Sequence, residues 1–159
     1  MTGFGEMKFP KVQKAVETIV VDASSSGFEG LNQSEITING EKVVMSLNES
    51  GHQRGLHLAV VDPQDGHVVY SFVFDTYKTS EHLDTFIDEA KIPTGYIVAA
   101  ACKDECTTNL SQKAKNWLSQ LGSKEIGNVG YREAFAFVAK VGDLGATNEK
   151  RGNSAKDKV

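Results

Sequence analysis

The chain has 159 residues, 40% of them hydrophobic and 24% charged, with a net charge of −4. That is enough for one ordinary core and too little for two. No clustered basic face appears, which argues against nucleic acid. No apolar run approaches the roughly 20 residues of a membrane helix, so membrane insertion is not expected.

In chain order, residues 1–16 read as an N-terminal arm. They hold no apolar stretch of the kind a signal peptide needs, and Glu17 interrupts the next one. Strand patterns follow near 17–22, 35–38 and 42–47. Arg54 to Tyr77 reads as a β-hairpin. Leu56, Leu58 and Val60, then Val69, Phe72 and Phe74, are apolar around the turn Asp62-Pro63-Gln64-Asp65-Gly66, where Pro fixes φ and Gly accepts φ > 0. Its strands are predicted at 55–62 and 67–75. Residues 80–90 predict an amphipathic helix opened by Ser80, with Leu83, Phe86 and Ile87 on one face. A strand at 96–102 leads to a second helix at 107–121, capped by Thr107 or Thr108. There Leu110, Ala114, Trp117, Leu118 and Leu121 recur at helical spacing, and Gly122 provides the stop. A brief helix at 124–128 and a strand at 134–141 complete a domain spanning 17–143. Residues 144–159 are polar and read as a flexible tail. Mixed strands and helices with antiparallel hairpins predict an α+β fold. Trp117, Phe135 and Phe137 are assigned to the core.

The reactive side chains show no catalytic signature. His52, His57, His67 and His82 are scattered without local acid or nucleophile partners, and His57 reads as a satisfied strand residue. Asp104 and Glu105 are adjacent on a loop, a poor arrangement for two carboxyls acting across a sugar. Cys102 and Cys106, the only cysteines, do not complete a zinc site. Two readings stand for them: free thiols, or a short disulfide pinning a loop. Asn32, Asn48 and Asn109 fit the N-glycosylation acceptor pattern. No enzyme activity, cofactor or metal is expected.

Several phrases nevertheless form an ordered set: Arg54-Gly55, Asp62 to Gly66, Val73-Phe74-Asp75-Thr76-Tyr77, Lys103-Asp104-Glu105, Leu121-Gly122-Ser123 and Gly130 to Val138. Upstream, Ser26 to Gly30 and Ile36 to Val43 look like opening strands. With this set the chain resembles the interleukin-like EMT inducer family, the PANDER-like or GG domain. That domain also forms the stem of the enzyme adding N-acetylglucosamine to O-mannose. The resemblance implies two packed, mainly antiparallel β-sheets flanked by short helices. Relatives are mostly secreted or lumenal, which implies an extracellular setting, with a cytoplasmic one left open.

Within the resemblance, sugar recognition by the transferase stem carries over to Arg54, Asp104 and Tyr131. A carboxylate accepts two hydroxyl hydrogen bonds with charge assistance. A guanidinium donates a planar fork. An aromatic face packs on the apolar side of a pyranose. The structural alternatives are an Arg54–Glu49 pair, Asp104 capping the helix at Thr107, and Tyr131 packed at a strand entry. Arg132 and Glu133 read as a structural pair orienting Tyr131, and Asp75-Thr76-Tyr77 as scaffold. The expected function is a lectin-like module for a terminal sugar such as N-acetylglucosamine or galactose, with glycans or glycoproteins as partners. The competing class is a secreted cytokine-like or protein-interaction module. The signalling members of the family carry additional cysteines and a longer C-terminal extension. A single shallow site binds weakly, so a homo-oligomer is expected.

Overall fold

A computed structural model describes residues 18–47, 51 and 53–159. The predicted arm at 1–16, and Asn48 and Glu49, lie outside the described residues. Two antiparallel sheets pack together. The smaller has the order β1 (Val21–Ser25), β2 (Ser34–Ile38), β3 (Glu41–Lys42). The larger runs β5 (Val68–Phe74), β4 (Gly55–Val61), β6 (Ile97–Lys103), β7 (Phe135–Lys140), β8 (Asp143–Arg151). Helices α1 (Glu81–Glu89) and α2 (Gln112–Gln120) and a 3-10 turn at Ile126–Asn128 complete the α+β architecture.

The two faces of the large sheet differ in residue size. Toward the helices it presents Leu56, Leu58, Val60, Val98, Phe135 and Phe137, all fully or almost fully buried, against Leu83 of α1 and Ala114 and Leu118 of α2. The Phe135 and Phe137 rings stack at 6.0 Å, and removing either ring would cost about 3–5 kcal/mol. Trp117 is only partly buried, edge-on to Phe86. Toward the small sheet it presents Ala59 and Ala99, against Ile36 of β2. Small side chains there let the two layers approach closely.

One hydroxyl ties the layers together. The β6–β7 pairing ends at Ala101↔Ala136. Just beyond it, Ser25 Oγ of the small sheet donates to the Cys102 carbonyl at 2.6 Å and accepts the Phe135 amide at 3.1 Å.

Several boundaries differ from expectation. The first strand lies at Val21–Ser25, later than 17–22. The expected 42–47 strand reduces to Glu41–Lys42, after which Ser46 bridges alone to Phe72 beside β5. In the expected strand from Ser26 to Gly30, Ser26 makes only an isolated bridge to Lys158, and residues 28–31 form a turn. The second helix begins at Gln112 under Ser111, whose hydroxyl accepts the Ala114 amide; neither Thr107 nor Thr108 caps it.

The largest correction concerns 144–159, expected as a flexible tail. Residues 143–151 form β8, paired with β7 from Phe135↔Arg151 to Lys140↔Asp143. Glu149 accepts from Ser123 Oγ and the Lys124 amide, both at 2.6 Å, and Thr147 Oγ1 donates to the Leu121 carbonyl. The last residues then run beside β1, where Ser25 and Val159 exchange two backbone hydrogen bonds. Backbone pairing and polar contacts secure this segment, so a mostly polar composition here does not mean a flexible tail.

Candidate functional site

Strand direction brings the exits of β5 and β6 and the entries of β4 and β7 to one end of the large sheet. Gly55 pairs with Lys103, so the next rung sets Arg54 opposite Asp104. Gly55 has φ +116°, and a Cβ there would lie 2.0 Å from the Phe74 carbonyl oxygen. The residue after Arg54 therefore has to be glycine.

The sequence-suggested partner of Arg54, Glu49, lies outside the described residues. Arg54 Nε and one Nη donate to the two Asp75 carboxylate oxygens at 2.9 and 2.6 Å, a bidentate fork. The guanidinium lies over the Tyr77 ring, 4.7 Å from its centre. The Asp75 hydrogen bond raises the Arg54 pKa further; burial opposes this, while the charges of Asp75 and Asp104 add to it. Three N–H groups of the guanidinium remain beyond the fork. Asp75 and Thr76 are buried and fit the scaffold role, whereas Tyr77 is exposed and belongs to the surface.

Asp104 sits inside a disulfide loop, Cys102–Cys106, whose Cα atoms are 5.7 Å apart. Its backbone is left-handed, φ +62°, and its amide donates to Asn32 Oδ1 at 2.9 Å. Asp104 does not cap the following turn. Glu105 does: it is 2% exposed, and its carboxylate accepts the amides of Thr107 and Thr108 and, across the site, the amide of Arg132 at 3.1 Å. One buried carboxylate thus fixes both the β6 exit and the turn before β7.

That turn also departs from the expected Arg132–Glu133 pairing. Glu133 folds back onto the Gly130 amide at 2.7 Å. Arg132, at φ +61°, swings the other way, with its guanidinium 3.8 Å from the Phe28 ring centre and 5.1 Å from that of Tyr131. Its Nε is 3.9 Å from Asp104 Oδ1, an ion pair too long for a hydrogen bond. That Nε is buried and has no hydrogen-bond partner. Tyr131 is 58% exposed, not packed. Arg54 and Tyr131 thus flank Asp104 at this end, with Arg132 between Asp104 and Tyr131. Sequence reasoning missed Arg132 as a member; its signal was its place beside Tyr131 in the Gly130-to-Val138 phrase.

Elsewhere, His57 is buried with Nε2 2.7 Å from the Gln53 carbonyl. Burial lowers its pKa; the Gln53 carbonyl opposes this and the Lys103 charge reinforces it. Asn109 donates its side-chain amide to the Tyr77 carbonyl. Among the described residues no three His, Cys, Asp or Glu side chains gather as metal ligands, and no helix is long and apolar enough to cross a membrane.

Residues 54–143 match the family model described as interleukin-like EMT inducer. Human "Cell migration-inducing and hyaluronan-binding protein" is 35% identical over 102 residues, 62% of this chain and 7% of that protein. Human "Protein FAM3D" is 30% identical over 99 residues, 62% of this chain and 43% of that protein. Zebrafish (Danio rerio) "Cell surface hyaluronidase" is 32% identical over 96 residues, 59% of this chain and 7% of that protein. The chain therefore spans less than half the length of each of these relatives.

Proposed function

The chain belongs to the interleukin-like EMT inducer family, and from that premise we propose that it is a non-catalytic extracellular recognition module. Its ligand is another protein, and its recognition surface is the sheet end carrying Arg54, Asp104, Tyr131 and Arg132. The observation behind this reading is Tyr131, an exposed aromatic on a turn held by a buried carboxylate. Exposed rings and arginines on rigid supports are the usual anchors of protein interfaces. The Cys102–Cys106 disulfide suits an oxidising compartment. Labelled protein applied to cultured cells should bind saturably, and Tyr131→Ala should lower the affinity at least about tenfold. Undiminished binding by that variant would remove the surface from consideration.

A second reading, a saccharide ligand, is favoured by one observation. The unpartnered Arg132 Nε and Asp104 Oδ1 face each other across 3.9 Å, and a ligand hydroxyl seated beside both would accept from one and donate to the other. Two relatives named for hyaluronan point the same way. A glycan array carrying terminal N-acetylglucosamine, terminal galactose and hyaluronan fragments tests it, with Asp104→Ala and Tyr131→Ala as controls. Cells stripped of glycans separate the readings: a protein receptor keeps its binding, and a glycan receptor loses it. Either ligand at one small surface calls for several copies, so a homo-oligomer is part of the proposal. Light scattering that returned a monomer at all concentrations would remove that part.

A further inference from the structure

A second hollow lies behind the same strand end. Alternate strand residues share a face, so Lys103, the last residue of β6, lies on the same side as Ala99, toward the small sheet, and lines a cavity of about 280 Å³ there. Its other charged walls are Lys42 and Glu35 from the small sheet and Lys158 from the C-terminal segment. Lys42 is matched by Glu35 at 3.1 Å. Lys103 and Lys158 have no carboxylate partner among the described residues. Two ammonium groups without such a partner therefore line one hollow in a chain whose net charge is −4.

The neutral walls are hydroxyls and amides. Ser34 lines the cavity, and its buried hydroxyl has no hydrogen-bond partner, which is costly unless a ligand or water supplies one. Gln53 contributes an amide from the entry to β4. The hollow continues past Ser34, Lys42 and Gln53 into a second of about 230 Å³ that reaches His57 and Met45. The first compartment, at about 280 Å³, falls just under the usual range of ligand pockets, roughly 300–1,000 Å³, and has room for about one ring.

We propose that this inter-sheet hollow is a binding site for an acidic monosaccharide unit, with the carboxylate of a uronic acid between Lys103 and Lys158 and its hydroxyls on Ser34 and Gln53. Ammonium groups supply the charge match to an oxyanion without demanding a fixed fork. The neutral donors and acceptors beside them match the ring hydroxyls of a sugar. The site uses none of Arg54, Asp104, Arg132 or Tyr131, so it stands or falls independently of the end surface.

The test is a titration of the isotopically labelled full chain, followed by amide chemical shifts, with D-glucuronate, D-glucose and inorganic sulfate as probes. Glucuronate should shift the amides of Ser34, Gln53 and Lys103, and glucose should leave them unmoved. Lys103→Gln should weaken glucuronate roughly fivefold, and the Lys103→Gln, Lys158→Gln pair should weaken it further, with the melting temperature and the Tyr131-dependent cell binding unchanged. Glucose binding as well as glucuronate, or unaltered affinity in the double variant, would overturn the site. Sulfate binding as tightly as glucuronate would overturn its sugar component and leave a bare oxyanion pocket.

Discussion

The two ends of the five-stranded sheet handle left-handed backbone differently. Where β4 turns into β5 and β7 into β8, positive φ falls to Gly66 and Gly142. At the opposite end Gly55 takes one such position, but the others fall to Asp104 and Arg132, with Asn32 beside them, at φ +62°, +61° and +50°. A residue other than glycine costs about 1–2 kcal/mol in this region. Glycine suffices where the chain only has to reverse. Retaining a carboxylate and a guanidinium at strained positions suggests that their side chains matter more than the local stability lost, a pattern associated with functional sites.

Breaking the supports of the strained end should give the largest effects. Gly55→Ala would set a methyl group 2.0 Å from the Phe74 oxygen at φ +116°, and a loss of about 3 kcal/mol or more is expected in urea denaturation. Glu105→Ala takes the shared buried acceptor from three part-buried amides, those of Thr107, Thr108 and Arg132, and should cost about 2–3 kcal/mol in the same measurement. At the other end, Gly66→Ala meets only the side chains of Ile19 and Ile38 at 3.5 Å. Its cost should be about 1–2 kcal/mol, the backbone strain alone. Asp104→Gly sharpens the contrast: melting should show no loss, or a gain of up to about 1 kcal/mol, while binding through the end surface drops. A clear fall in stability would mean that the strain at Asp104 is not relieved by glycine.

The smallest expected effect is a pH dependence centred on His57. Its folded pKa is lowered, above all by burial, from an ordinary value of 6.5. As pH falls below about 6.5 the unfolded chain takes up this proton first. The stability due to the neutral buried ring is complete above that value and declines below it, until the folded ring protonates as well. Thermal melts between neutral and mildly acidic pH should show the decline, and His57→Gln should flatten it.

The hairpin from Arg54 to Tyr77 was legible in the sequence because apolar alternation and a Pro-Gly turn both depend on local chemistry. Arg54, Asp104 and Tyr131 were marked differently, through the resemblance of the phrases around them to the family's motifs, which alternation and turn chemistry alone do not single out. β8 was not legible. As an edge strand it is secured by backbone pairing on one side and by Glu149, Thr147 and Arg151 contacting the loop after α2, none of which leaves an alternating pattern. Nor does a sequence say which of two adjacent carboxylates points inward. Left-handed backbone at Asp104 separates it from Glu105, one to the surface and one to the interior. The same geometry at Arg132 sends that side chain to Phe28 and Asp104 instead of Glu133.

Ser25 bridges the gap where β6 and β7 part, and this gives the molecule a built-in reporter. The amide proton of Phe135 is held by a residue of the small sheet, while Ala136 and its neighbours are held within the large one. Deuterium uptake at that single amide therefore times the separation of the two layers, and uptake along the rest of the strand times the loss of the whole fold. A ligand wedged between the sheets would slow the first clock before it touched the second.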